Sequence, residues 1–229
     1  MGIAFLPIDI DVQLPNEQKL IDYLEEHKMV KNNREGHSHW WDTIPVLMRG
    51  QPGMDYNMAN TTELIANRYN AGMGTPNYVN DIDKVFPEIP YMLEQLPFKE
   101  MTVVAMLCQN EAVDYHTDGL KEDNDLDPTE TAYSLEPRRY NILLTKHDYQ
   151  DCFFVSNKIG GEKVYPKITR ERPCHVISDR FYAHGAEYRG PGKIMLAVIG
   201  GILDRPKHLK MIEQNLEKYR NLAVIYPDL

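Results

Sequence analysis

"MTVVAMLCQNEAVDYHTD", residues 101–118, is where the texture of the chain changes. An apolar, β-branched run breaks at Gln109–Asn110 and leads into "AVDYHTD", after which "YNILLTKH", "DCFFVSN", "KVYPKI", "CHVISDRFYAH" and "KIMLAVIGGIL" follow, separated by turn residues. Six short strand-like runs within roughly 100 residues predict an antiparallel sandwich or barrel. If "AVDYHTD" ends a strand, side chains two apart share a face, and His116 and Asp118 project to the same side.

Upstream, the periods are helical. Asn16 precedes "EQKLIDYLEEHKMV", in which Leu20, Tyr23, Leu24 and His27 recur at three- and four-residue steps, predicting an N-capped amphipathic helix. "WWDTIPVLM" reads as a strand among loops. Asn60 and Glu63 resemble a capping box for a short helix that Gly72 closes. "DIDKVFPEIPYMLEQLPF" predicts two helical turns interrupted by prolines, the second beginning near Pro90. "RPKHLKMIEQNLEKYRNL" places Leu209, Ile212, Leu216 and Tyr219 in helical register. These readings give one domain over 1–229: a helical support with an early strand over 1–100, a β core over 101–204, and a helix and tail over 205–229. The loop 119–137 is long for an idle connection, and its six Asp/Glu suit either a cationic partner or a solvated lid.

Hydrophobic residues at 42% and charged residues at 26% fit a globular chain long enough to bury a core, and exclude a disordered class. Thirty-four acidic against twenty-five basic side chains give a formal charge of −9, which disfavours a nucleic-acid partner because that binding needs concentrated positive charge. No apolar window approaches the roughly 20 residues of a membrane span, and the opening residues lack a basic, export-type segment. Three widely spaced cysteines suit reduced thiols. The expected setting is cytoplasmic, and the sequence sets no oligomeric state.

An HxD pair alone is more often two ordinary polar groups than two ligands. A third ligand is offered by His184, in "SDRFYAHGAEYRGPGKIMLAVIGG", after one strand-like run and before a Gly-rich turn into another. Two His and one carboxylate with open positions opposite form the facial triad of non-haem Fe(II) oxygenases. His37 and His39 make a rival one-spaced pair without a third ligand nearby, and with Trp40 and Trp41 they read as loop or lid packing. His147, His175 and His208 read as ordinary polar positions. Asp179 either orients a neighbour or caps a turn, and Cys108 and Cys174 read as small core residues. GxSxG and GxGxxG are absent.

The order HxD, long loop, strand opening with Arg, distal His and then a basic residue resembles the 2-oxoglutarate/Fe(II)-dependent oxygenases, and within them the aspartyl/asparaginyl β-hydroxylase-like branch. "LCQNEAVDYHTD", "RRYNILL", "SDRFYAHGAEY" and "KIMLAVIGG", all between residues 107 and 201, carry the resemblance. It implies a mainly β fold with flanking helices around a double-stranded β-helix, a jelly-roll, cupin-like core. It implies His116, Asp118 and His184 as Fe(II) ligands, with 2-oxoglutarate as co-substrate and O2 as oxidant. Lys193 stands where relatives carry a basic residue for the far carboxylate of 2-oxoglutarate, often Arg; Lys replaces a bidentate fork with a point charge. Arg189 competes for that role. Arg139 and Asn141 match a pocket-facing pair on a middle strand, and Arg138 beside them suits an anionic substrate group. Asp118 departs from branch members that use two His alone. The expected activity is hydroxylation of an amino-acid or peptide side chain with release of succinate and CO2. The alternatives are a cupin-like metal-binding module or non-oxidative metalloenzyme holding Zn²⁺ or Mn²⁺, and an inert binding protein displaying the long loop.

Overall fold

A computed structural model of the chain describes residues 2–27, 41–49, 76–79, 81–118, 136–145 and 152–227. The helix expected at 60–72, the His37/His39 pair, Trp40, His147 and most of the 119–137 loop lie outside them.

The fold is mainly β. The β-branched run at 101–108 is the middle of a long strand, β4 (Phe98–Gln109), and the other strands are β1 (Gly2–Pro7), β2 (Trp41–Arg49), β3 (Pro76–Tyr78), β5 (Val113–His116), β6 (Arg139–Leu143), β7 (Phe153–Ser156), β8 (Cys174–Ile177), β9 (Ala183–Ala186), β10 (Ile194–Leu203) and β11 (Val224–Tyr226). Eight form one sheet in the order β11-β1-β8-β6-β10-β4-β2-β3, and three form a second in the order β5-β9-β7, with every pairing antiparallel. From β4 to β10 the chain alternates between the two sheets at each strand.

Strand alternation sorts the side chains into two cores. On β6, Tyr140 and Ile142 turn to one face with Leu144 just beyond; they join Val176 of β8 and Leu196 and Val198 of β10 in a cluster with the helices α1 (Glu17–Glu26), α2 (Ile82–Val85), α3 (Glu88–Glu94) and α4 (Arg205–Tyr219). The other face meets the small sheet: Phe5, Leu143 and Ile177 pack on Val113, Phe153, Val155 and Ala186. Each such apolar side chain taken from water contributes about 1.5–3 kcal/mol.

Local chemistry sets the ends of elements. Asn16 caps α1, its side chain accepting from the Lys19 N–H at 3.0 Å. Asp204 does the same for α4 through the Lys207 N–H, with Pro206 in the first turn. Pro45 sits inside β2 beside a register shift against β4, where β3 does not pair. That is where a strand tolerates a residue with no N–H to donate.

Several expectations need correction. "KVYPKI" contributes only a bridge between Val164 and Val155. "CHVISDRFYAH" is two strands in different sheets, β8 and β9. The second helical turn of the proline-broken pair begins at Glu88, placing Pro90 in its first turn, where the missing N–H has no helical partner to lose. Among the described residues the first hundred supply three whole strands and the start of β4 besides helices, and the expected tail carries β11, which pairs with β1. His175 and His208 are buried, not ordinary polar surface positions. Among the described residues no helix is long and apolar enough to cross a membrane.

Candidate metal centre

Strict alternation along "VDYH" would turn His116 to the face opposite Val113. The register prevents this: Val113 pairs with Ala186 and His116 with His184, three residues on β5 against two on β9. The extra residue is a β-bulge, which re-aims the side chain beyond it. Asp114 is exposed and Tyr115 packs on the Phe154 ring at 4.8 Å, while His116 swings back to the side of His184, ring centroids 4.2 Å apart. β5 ends at His116, so the shared strand face does not place Asp118. Its N–H donates to the Asp179 carbonyl at 2.8 Å, tying it to the crossing between β8 and β9.

His116, Asp118 and His184 thereby offer one ligand atom each, all within 4.8 Å of one another. Asp118 Oδ1 lies 3.6 Å from His116 Nε2 and Oδ2 lies 3.7 Å from His184 Nε2. Each ring faces a main-chain carbonyl two residues back with its other nitrogen: His116 Nδ1 to Asp114 at 2.8 Å and His184 Nδ1 to Tyr182 at 3.4 Å. Protons assigned to those Nδ1 atoms leave both Nε2 lone pairs aimed at the centre, the arrangement that orients imidazoles toward a cation. Burial, with the neighbouring His116 and Arg139, holds His184 well below the usual histidine range. Burial also lowers His116, opposed by its bond to Asp114 and helped by Arg139. Neutral imidazoles are the ligating form.

Arg139, at the start of β6, forms an ion pair with Asp118 and lies 3.9 Å from the Asp179 carboxylate. Asp179 therefore touches the centre twice, through its carbonyl on Asp118 and its carboxylate beside Arg139.

Behind the centre lies the space between the sheets. Leu143, Phe153, Ile168, His175, Lys193 and Met195 line a narrow gap there. Phe153 joins this space to the centre, its ring 6.4 Å from His184 and 5.8 Å from His175. Lys193, next to β10, is 5% exposed, its Nζ 3.4 Å from Cys152 Sγ and 5.5 Å from the Trp41 ring, and burial lowers its pKa. Asn141 pairs in register with His175, its Nδ2 3.4 Å from His175 Nε2, and its buried Oδ1 has no hydrogen-bond partner. Burial pushes His175 down to about 3.

The structure thus brings together His116, Asp118, His184 and Arg139, with Lys193 lining the space behind and Asn141 beside its His175 wall. It separates two others. Arg138 acts electrostatically on His208, on the helix side of β6. Arg189 is exposed on the turn after β9, near Glu187. His175 and the double role of Asp179 escaped the sequence reading. Setting "RYN" antiparallel to "HVI" places His175 opposite Asn141, a signal for the first; nothing local marks the second. Compared with protein-family models, curated proteins and solved structures, the chain matches none.

Proposed function

We propose that this chain is an Fe(II)- and 2-oxoglutarate-dependent oxygenase that hydroxylates an amino-acid or peptide side chain. One observation carries the reading: the His116 and Asp118 side chains and that of His184, some sixty-six residues further on, bring two imidazoles and one carboxylate within 4.8 Å of one another. Two imidazoles and one carboxylate are a donor set that suits Fe(II). The core is read as a double-stranded β-helix. The sheet-to-sheet alternation from β4 to β10 supports this, with the Val155–Val164 bridge standing where the small sheet would take a fourth strand.

The residues fit the group. His116 and His184 would hold the metal through Nε2 and Asp118 through a carboxylate oxygen, while Arg139 pairs with Asp118 Oδ2. Bound there, Fe(II) supplies the redox chemistry that couples conversion of 2-oxoglutarate and O2 into succinate and CO2 with hydroxylation of a C–H bond. Lys193 presents its amine to a space otherwise walled largely by apolar groups, so a carboxylate entering it finds a cation that burial has stripped of water. Asn141 sets its amide beside His175, which lines that space. The apolar walls from Leu143, Phe153 and Met195 exclude water around the co-substrate, and Asp179 keeps Asp118 and Arg139 in register.

The test is 2-oxoglutarate consumption with purified protein, Fe(II) and O2. Succinate formation matched by O2 uptake, lost in His184→Ala, is expected. Zn²⁺ or Mn²⁺ retained with no 2-oxoglutarate consumed under any substrate would overturn the reading in favour of a metal-binding module or non-oxidative metalloenzyme.

A further inference from the structure

Cys152 plays no part in the chemistry above, yet its surroundings are ordered. It is 1% exposed, immediately before β7, and its thiol donates to the Glu187 carbonyl at 2.7 Å. Gln109 Oε1 lies 3.7 Å from the sulfur, and Gln109 Nε2 is held by the Glu111 and Glu187 carbonyls at 2.9 and 3.3 Å. On the sulfur's remaining side stands Lys193 Nζ at 3.4 Å. A thiol and a primary amine are therefore fixed in contact between the two sheets.

We propose that Cys152 and Lys193 form a reversible oxidation site in which the sulfur and Nζ become covalently joined when the protein meets a hydroperoxide. The peroxide O–O bond breaks as sulfur gives up two electrons; one oxygen stays as S–OH and the other leaves as water with the thiol proton. The Lys193 amine lone pair then attacks sulfur, and the hydroxyl leaves with one amine proton as a second water. Thiol, amine and one hydrogen peroxide give an S–N bridge and two waters, the condensation of a sulfenic acid with a nearby nitrogen. Burial lowers the Lys193 pKa against the opposing contact with Cys152, so the ammonium gives up its proton more readily than an exposed lysine, and the deprotonated amine is the form that attacks sulfur.

The consequence rests on the function proposed above. A bridged Lys193 no longer offers an ammonium to the far carboxylate of 2-oxoglutarate, so oxidation would weaken co-substrate binding and a dithiol would restore it.

The bridge itself is tested without reference to activity. The full chain is treated with hydrogen peroxide and a chelator, which suppresses iron-driven oxidation, and digested without reductant for mass spectrometry. The expected product joins the peptides carrying Cys152 and Lys193, lighter by two hydrogens than their sum; a joined pair heavier by one oxygen supports the same site. It should disappear after dithiothreitol and in both Cys152→Ser and Lys193→Arg, and persist in Cys108→Ser and Cys174→Ser. Cys152 recovered as a sulfinic acid or as an unaltered thiol, with Lys193 unmodified, would overturn the proposal. Loss of 2-oxoglutarate consumption on oxidation, reversed by dithiothreitol and absent in Cys152→Ser, supports the regulatory consequence. A cross-link that leaves consumption untouched removes that consequence and the role of Lys193 in holding the co-substrate, while the bridge stands.

Discussion

Gly185→Ala tests whether the join between β5 and β9 sets the metal centre. Gly185 follows His184, and a Cβ there would lie 2.4 Å from the Phe154 ring and 2.5 Å from the Val113 carbonyl. The ring can rotate away. The carbonyl belongs to β5, and at about 1 Å inside an ordinary contact it must carry its strand with it. Overpacking of this kind costs about 1–3 kcal/mol, a melting temperature lower by roughly 2–12 °C for a chain of this size. Because His116 and His184 face each other across the same two strands, the shift also spreads the ligand atoms, and metal affinity should fall at least about tenfold. The assay is thermal unfolding under anaerobic conditions with and without Fe(II). The increment in stability on adding metal follows RT ln(1 + [L]/Kd), so a tenfold loss removes about 1.4 kcal/mol of it at saturating metal. Adding Phe154→Ala to Gly185→Ala clears the ring but not the carbonyl, so the metal increment should stay reduced. A Gly185→Ala protein that gains as much stability from Fe(II) as wild type would refute the reasoning.

Two further outcomes follow from the same geometry. Arg139→Met removes the ion-pair partner that fixes the Asp118 carboxylate, and Fe(II) affinity measured by titration should drop about 10- to 100-fold, with Arg139→Lys intermediate because it restores charge without the fork. His208, buried under Tyr140 and facing Glu136, Arg138 and Arg205, is held down to about 4 mainly by burial. Unfolded, it titrates near 6.5, so between those values the unfolded chain binds the extra proton. Stability should therefore fall as pH drops from about 6.5 toward 4, by up to about 3 kcal/mol from this group, and denaturant unfolding of His208→Gln should show a shallower slope there.

What the sequence made legible was whatever a local period or cap encodes. Asn16 with its apolar steps fixes α1, and apolar or β-branched runs mark β4, β6 and β10, whose side chains fill cores on both faces of the large sheet, and β7 of the small sheet, which packs on one of them. β1 and β11 were not legible: "GIAFLP" lacks alternation since both its faces are covered, and "VIY" is too short to carry a period. The grouping of His116, Asp118 and His184 was readable from spacing and order, but the aim of their side chains was not. A bulge at Asp114–Tyr115 leaves no mark in "VDYH", and Asp118 owes its place to a carbonyl some sixty residues away, at Asp179. Arg138 and Arg139 look alike in sequence, and only the faces of β6 separate a residue beside Asp118 from one beside His208.

The central claim is that one redox-active cation is held by residues 116, 118 and 184 together. Anaerobic addition of Fe(II) and then 2-oxoglutarate to the purified chain tests it most directly. A weak visible charge-transfer band should develop in wild type and be absent in His116→Ala, Asp118→Ala and His184→Ala, each still folded by circular dichroism. A wild type with no band, or a band that survives loss of His184, would contradict it.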